Sequence, residues 1–387
     1  MEISACVKYV GVNDHQVDLF EGQYKVPNGM AYNSYVILDE KIAVMDTVDG
    51  FFTEEWLNNV EQVLSGKMPD YLVIQHMEPD HSASIPAFLK KYPNTTVVST
   101  AKGFQFMEQF FPEFFAGQGL PAEQRIVAAN DGVLELGQHS LHFVYAPMVH
   151  WPEVMMTYEA TEKILFAADG FGKFGALDVE EEWTDEARRY YIGIVGKYGP
   201  QVQAVLKKAA GLDIQKICSL HGPVLTENLG FYLDKYNKWS SYQPEESGVV
   251  IAYASVYGNT RNAAEYLADV LQEKGQKTVL YDLARCDKAK AVADAFRYDR
   301  LVLAGITYNG DLFPCMRSFI EGLTERNYQN RKVAIVENGT WAPMAGKLIL
   351  GMFEKSKNLT FAETTVSIKS AMNAQNREEI KKLAEEL

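Results

Sequence analysis

The segment Tyr71-Leu72-Val73-Ile74-Gln75-His76-Met77-Glu78-Pro79-Asp80-His81 runs an apolar strand directly into four titratable side chains. Histidine offers nitrogen and the carboxylates offer anionic oxygen. Pro79 stops regular pairing, so these side chains can converge at a sheet rim and hold a metal ion. Such a site needs ligands from later strands, and three segments supply them. Strand 141–145 leads into Pro147-Met148-Val149-His150-Trp151-Pro152, strand 163–166 into Asp169-Gly170-Phe171-Gly172, and strand 216–220 into His221-Gly222-Pro223. His76, Glu78, Asp80, His150, Asp169 and His221 are enough for two metal ions. Taken singly, each has a plainer reading. A lone histidine after a strand is usually structural, and an aspartate before glycine is a common turn residue. The constellation carries the argument, because four of the seven histidines lie in these segments. His15, His139 and His142 fall outside them and read as surface residues. Asp46, ending strand 41–45, reads equally as a turn residue or as a group orienting a ligand from behind.

A second chemistry lies in the C-terminal half. Strand 249–254 ends in Ser255-Val256-Tyr257-Gly258-Asn259-Thr260, and a helix begins at once. Hydroxyls, a glycine and backbone N–H groups at a helix N-terminus make a phosphate cradle. The loop has no lysine, so it is not a Walker-type nucleotide loop. A third strand, 301–306, runs into Thr307-Tyr308-Asn309-Gly310-Asp311, and a fourth, 333–337, ends in Glu337-Asn338-Gly339-Thr340-Trp341. Each of these two loops joins an aromatic ring to glycine and amide groups, and Tyr308 or Trp341 can stack on an isoalloxazine ring.

Five strands must position these loops: 249–254, 278–283, 301–306, 333–337 and 364–368. Helices near 262–274, 288–297, 316–323, from 344, and 376–387 separate them. In the first helix Ala263, Ala264, Leu267, Ala268 and Leu271 share one face. This alternation implies an open parallel sheet covered on both sides. The N-terminal half starts with short strands, 35–38 and 41–45, and reads as a β-rich sandwich whose rim carries the metal site. The polar stretch Tyr242-Gln243-Pro244-Glu245-Glu246-Ser247-Gly248 marks the boundary, giving domains 1–245 and 246–387.

Composition narrows the function. The chain has 387 residues and a formal net charge of -14, which opposes non-specific nucleic-acid binding and anionic membranes. No apolar run is long enough to span a bilayer, and the N-terminus lacks a secretory pattern, so a cytoplasmic enzyme is expected. Cys6, Cys218, Cys286 and Cys315 form no C-x-x-C pair, which excludes a zinc ribbon and a cysteine-ligated iron site. They read as buried thiols in a reducing compartment.

The C-terminal domain resembles flavodoxin over its whole length, which implies FMN. The spacing His76-x-Glu78-x-Asp80-His81 resembles the His-x-His-x-Asp-His of the metallo-β-lactamase superfamily, with Glu78 replacing the second histidine. A carboxylate there hardens the site, favours iron over zinc and can bridge two metals. The fusion of the two resembles the flavodiiron proteins (A-type flavoproteins). Tyr32-Asn33-Ser34-Tyr35, His150-Trp151-Pro152-Glu153, His221-Gly222-Pro223 and all three flavin loops match. The resemblance implies an αββα sandwich joined to a five-stranded flavodoxin-like sheet, with two iron ions and FMN. It also implies reduction of O2 to water, of NO to N2O, or both, in a head-to-tail homodimer or a dimer of dimers.

By the same resemblance, His81 stands behind the ligands rather than among them, and Tyr190 and Tyr191 match a family tyrosine close to the irons. Some members carry a histidine near Phe20-Glu21-Gly22, where this chain has none. No rubredoxin domain follows, so an external donor is expected: rubredoxin, ferredoxin, a flavin reductase or reduced deazaflavin. Two ferrous ions and reduced FMN together hold the four electrons that O2 reduction to water consumes. A dinuclear zinc hydrolase with a regulatory flavodoxin domain, or an electron carrier with a structural N-terminal domain, are the alternatives.

Overall fold

The computed structural model describes residues 3–115 and 120–387. These divide into two compact units. One comprises Met1–Tyr191 with Pro200–Asp234, and the other Ile192–Gly199 with Lys235–Leu387.

The first unit is a sandwich of two sheets. One sheet has the order Val7–Tyr9, Tyr35–Ile37, Ala43–Met45, Tyr71–Val73, Thr96–Ser99, Arg125–Val127, and the other Val133–Glu135, Ser140–Tyr145, Met155–Glu159, Ile164–Phe166, Lys216–Cys218. Val7, Tyr35, Ile37, Met45 and Val73 of the first sheet pack against Leu141, Phe143, Met155, Ile164 and Phe166 of the second in one core. Helices provide the outer layers of an αββα sandwich. In Thr53–Leu64 the residues Trp56, Val60 and Leu64 are buried, a four-residue spacing that puts them on one face.

Strand direction decides where the polar loops emerge. Tyr71–Val73 lies parallel to Ala43–Met45 and Thr96–Ser99. Ile164–Phe166 lies parallel to Lys216–Cys218, with Phe166 opposite Cys218. Asp169 and His221, each three residues past its strand, therefore leave the sheet at the same end. Pro79 does more than stop a strand. It occupies the first turn of a short helix, Pro79–Ser82, where its missing N–H is harmless. That turn carries Asp80 and His81.

The second unit has the sheet order Thr278–Asp282, Glu246–Tyr253, Tyr298–Tyr308, Lys332–Asn338, Thr360–Ile368, and these strands pair in parallel. This is the flavodoxin-like order 2-1-3-4-5. Ala263, Ala264, Leu267, Ala268 and Leu271 of helix Asn259–Glu273 are buried in its core, as the expected helical face requires. Four of the five strands run longer than the sequence pattern indicates, and Thr278–Asp282 ends one residue earlier. Tyr298–Tyr308 spans 11 residues because its ends keep ladder partners after the apolar run has stopped.

Two sequence expectations change. Of the four cysteines only Cys218 is fully buried; Cys6, Cys286 and Cys315 are half-buried. His139 is not a surface residue. It is 4% exposed, because Asp39 accepts hydrogen bonds from both its backbone N and its ring.

Buried Arg331 holds the start of the second unit together. Its guanidinium donates to the carbonyls of Tyr298 at 2.8 Å and Tyr242 at 2.7 Å, and also to that of Phe296. Arg331→Met should leave three carbonyls without these donors and destabilise this unit by roughly 3 kcal/mol or more. Denaturant unfolding checks this; a loss below about 1 kcal/mol would contradict the assigned role.

Candidate metal centre and flavin cleft

The loops at the strand ends bring seven side chains together. His76, Glu78, His150 and Asp169 form one group, and Asp80, His81 and His221 another. Asp169 joins them. Its Oδ2 lies 3.1 Å from His150 Nε2 and 3.4 Å from His76 Nε2, while its Oδ1 lies 3.4 Å from His81 Nε2 and 3.9 Å from His221 Nε2. Glu78 Oε2 is 3.0 Å from His150 Nε2 and 3.3 Å from His76 Nε2. Asp80 Oδ2 stands 3.3 Å from the Nε2 atoms of both His81 and His221. Atoms each about 2.0–2.2 Å from a common ion have such separations.

Two observations test whether metal ions fit. Both oxygens of Asp80 and of Asp169 are buried without a hydrogen-bond partner, an arrangement too costly for carboxylates unless cations compensate. The imidazoles are also oriented for ligation. Glu153 Oε1 accepts from His76 Nδ1 at 2.8 Å and from the Met77 N–H at 2.9 Å. The Ala31 carbonyl accepts from His221 Nδ1 at 2.8 Å. Neither oxygen can donate, so the ring proton sits on Nδ1, and Nε2 of a neutral ring presents its lone pair to the centre. His81 also turns its Nε2 inward, 3.0 Å from that of His221, but its Nδ1 is buried without a hydrogen-bond partner. Among the described residues none holds that Nδ1.

Without metal, protons take the place of the cations. Burial alone would depress His76, yet Asp169, Glu153 and Glu78 hold it well above its ordinary value. Burial likewise opposes protonation of His150, and the negative charge of Asp169 with the hydrogen bond to Glu78 prevails, raising it to about 9. Burial pushes the Asp169 and Glu78 carboxyls up, but the surrounding imidazoles bring both below the usual carboxylate range.

The supporting residues explain the motifs around the site. Asp46 accepts from Gln75 N at 2.7 Å and Gln75 Nε2 at 2.9 Å, with His76 N at 3.4 Å, and so pins the backbone that enters the ligand loop. Burial raises its carboxyl to about 6. Asn33 Nδ2 donates to the carbonyls of Ser219 and Gly222 at 2.9 and 2.8 Å, Tyr35 Oη donates to Ser219 O at 2.7 Å, and Ser34 Oγ to Asp46 O at 2.9 Å. The Tyr32-Asn33-Ser34-Tyr35 run thereby fixes the loops of Asp46 and His221. Glu153, which sequence reasoning noted only as part of a matching segment, orients His76.

Of the two tyrosines, buried Tyr190 touches the site, with its ring 5.4 Å from that of His221. Burial, Asp169, Glu78 and Asp80 raise its phenol well above the ordinary value, so it stays protonated. Tyr191 is fully buried at the start of the π-turn Tyr191–Val195. Phe20 sets its edge against His221 at 5.4 Å. The neighbouring Glu21 has its carboxyl raised by partial burial and by Glu78.

In the second unit, a cleft of about 510 Å³ lies at the ends of the first, third and fourth strands in chain order. That volume suits a cofactor-sized ligand. It is lined by Ser255, Val256, Tyr257, Asn259, Thr260, Thr307, Tyr308, Asn309, Gly310, Asn338, Gly339, Thr340 and Trp341, together with Ile306, Ala342, Met344 and Ser370. Gly258 does not line it. It caps helix Asn259–Glu273 at φ 91°, a left-handed conformation suited to glycine, and donates its N–H to Ser255 Oγ at 3.1 Å. No side chain caps that helix, which leaves its first N–H groups available to a phosphate. Thr307 is committed differently, since its Oγ1 accepts from Met344 N and Ala345 N at 2.8 and 3.2 Å. Tyr257 and Trp341 are 93% and 89% exposed, free to cover a flat aromatic ligand. Ser370 was missed because it follows the fifth strand; it exchanges backbone hydrogen bonds with the Asn338 side chain.

Two outcomes follow from this geometry. Glu153→Gln should weaken metal binding by about 10–100-fold while leaving flavin content intact, which metal titration of the variant checks. Metal uptake should also release protons, since below about pH 9 an ion must displace the proton on His150. Apparent affinity should therefore rise with pH towards that value. Titrating metal-free protein with Zn2+ beside an indicator dye measures the release; pH-independent binding without proton release would refute it.

The sequence family described as ODP family beta lactamase matches residues 30–222, and that described as flavodoxin domain matches residues 250–362. An anaerobic nitric oxide reductase flavorubredoxin of Vibrio vulnificus is 28% identical over 349 residues, 87% of this chain and 69% of that protein. The flavodiiron protein of Giardia intestinalis superposes with a TM-score of 0.91 at 25% identity, covering 100% of this chain and 96% of the other. The rubredoxin oxygen:oxidoreductase of Desulfovibrio gigas gives 0.90 at 25% identity with the same coverage. Both domain types in this order, with likeness along the entire chain, place it in a family: the chain belongs to the flavodiiron proteins.

Proposed function

We propose that the chain is an oxidoreductase that reduces O2 to water, NO to N2O, or both. It does so at two iron ions, with electrons arriving through FMN in the cleft. The observation that carries this reading is Asp169, whose two oxygens face two separate imidazole groups in a buried site. One ion would be held by His76, Glu78 and His150, the other by Asp80 and His221, with Asp169 shared. His81 Nε2 faces the second position and would be available as a further ligand. The ligand set is nitrogen and carboxylate without thiolate, which suits iron.

When bound, the iron pair supplies open coordination positions and two electrons, and reduced flavin supplies two more. The protein does the rest. Glu153 and the Ala31 carbonyl hold the His76 and His221 rings in the ligating tautomer. Asp46 and Asn33 keep the ligand loops in place. Tyr190 keeps a proton on its phenol oxygen beside the centre, where reduction of either gas consumes protons. Phe20 supplies an apolar wall against His221 and excludes water there. In the cleft, Tyr257 and Trp341 would cover the isoalloxazine ring and the open helix end would hold the phosphate.

An external donor feeds the flavin, and the likeness to the Desulfovibrio enzyme supports a rubredoxin. Ferredoxin, a flavin reductase or reduced deazaflavin would serve the same step. We place the protein in the cytoplasm as a head-to-tail homodimer, or a dimer of dimers. Among the described residues no helix is long and apolar enough to cross a membrane.

Purification without oxygen, followed by metal analysis and gas-electrode assays on chemically reduced protein, tests the reading. Two irons per chain and consumption of at least one gas are expected. Asp169→Asn should lose both ions and Asp80→Asn mainly one, each with lowered activity and an unchanged yellow FMN spectrum. Two zincs without iron would favour the dinuclear hydrolase. Iron without gas consumption would leave an electron carrier.

A further inference from the structure

Seven side chains account for the centre at one end of the sandwich. A different set of metal-ligand types meets elsewhere in the same unit. Cys6, His139 and Glu162 come from three separate segments, and their Sγ, ring nitrogen and carboxylate oxygen lie within 4.8 Å of one another. Cys6 immediately precedes strand Val7–Tyr9 of the first sheet. His139 immediately precedes Ser140–Tyr145, and Glu162 lies two residues before Ile164–Phe166, both in the second sheet. Those two second-sheet strands run from this cluster towards His150 and Asp169. The six residues of Ser140–Tyr145 span about 20 Å at roughly 3.3 Å each, so the two clusters occupy opposite ends of the sandwich.

We propose that Cys6, His139 and Glu162 form a site for a single zinc ion, independent of the dinuclear centre. The imidazole is prepared for it. Asp39 Oδ2 accepts from the His139 N–H at 2.7 Å and from Nδ1 at 2.9 Å. A carboxylate only accepts, so the proton sits on Nδ1 and Nε2 is turned to Glu162. This is the carboxylate–histidine–metal arrangement that fixes a ligand's tautomer. Nε2 lies 3.5 Å from Glu162 Oε1. Two ligands each about 2.0–2.2 Å from one ion are that far apart at an angle of roughly 105–120°, which is close to tetrahedral.

The carboxylate is held as well. Ser4 Oγ donates to Glu162 Oε1 at 2.8 Å, and the N–H groups of Thr161 and Glu162 donate to Glu159 at 2.8 and 2.7 Å, which fixes the turn. Lys216 Nζ sits 3.9 Å from the other oxygen, Oε2, while Oε1 keeps a lone pair for the ion beside its bond from Ser4. Burial would depress His139, but Asp39, Glu159 and Glu162 outweigh it. The same negative field attracts a cation.

One thiolate, one imidazole and one carboxylate leave a fourth position for water, and thiolate with imidazole selects zinc over magnesium or calcium. The ion would tie the segment before the first strand of one sheet to two turns of the other. Its role is that of a clamp at the end of the sandwich away from the redox chemistry.

Cobalt(II) tests this, because it takes zinc's place and shows a charge-transfer band when bound to thiolate. The dinuclear centre contains no cysteine, so the band cannot arise there. Protein already loaded with iron and FMN should bind one equivalent of Co2+ with that band, and added Zn2+ should abolish it. In Cys6→Ser the band should vanish while iron and flavin contents stay unchanged. Cys6 is half-buried and borders a short strand, so the variant should fold. Glu162→Gln should keep the band but weaken binding at least about ten-fold. Zn2+ should raise the unfolding temperature of the iron-loaded parent protein and not that of iron-loaded Cys6→Ser. Absence of the band, its persistence in Cys6→Ser, or unchanged affinity in Glu162→Gln would overturn the assignment.

Discussion

The architecture of the first unit depends on one costly group, the carboxylate of Asp169. It is 1% exposed, and neither oxygen has a hydrogen-bond partner. A charge so placed requires compensating positive charge within a few ångströms. The sandwich provides imidazoles on both sides of it, His150 and His76 at one oxygen and His81 and His221 at the other. Protons on those rings can meet the need, and so can two metal ions. The metal-free fold is thus held by the same electrostatics that the ions would satisfy. Metal entry exchanges one kind of cation for another and need not build a new structure.

The flavin cleft follows the opposite physical rule. Its recognition elements are open: an uncapped helix N-terminus and two aromatic rings that are nearly fully exposed. Exposed aromatic area is unfavourable in water, and covering it with a flat ring recovers that free energy. Backbone constraint replaces charge here. Gly339 lies so near Pro343 that a Cβ would sit 2.8 Å from its Cα, so the loop before Trp341 admits only glycine there without rearrangement. A cofactor that is held by stacking and backbone donors needs no buried ions. A metal pair confined in the sandwich needs them throughout.

This contrast explains what was legible in the sequence. The flavodoxin-like half was readable element by element, because helix Asn259–Glu273 and its neighbours are long enough for periodicity to appear. The three-residue strands of the sandwich show no period of their own, and their ligands stood out only as polar residues after apolar runs. The residues behind the ligands were harder. Glu153 meets His76 across 77 positions, and Asn33 meets the His221 loop across 186 to 189. No local pattern records such pairings. His139 read as a surface residue for the same reason, since the Asp39 that buries it lies 100 positions away.

Histidines can therefore be sorted by what their other ring nitrogen does, not by where they fall in the chain. His76, His221 and His139 each place Nδ1 on an oxygen that can only accept, and each directs Nε2 into a cluster of acidic ligands. In the metal-free chain the acidic surroundings favour a proton on such a ring, and a metal ion can take that proton's place at Nε2. His81 lacks the anchoring acceptor although it stands among the ligands. Its ring can turn without breaking an Nδ1 hydrogen bond, so its ligation is left to the ion itself. His15 marks the other limit. It is exposed, with Nε2 against the exposed Asp178 at 3.0 Å, and solvent screening leaves that pair little to contribute.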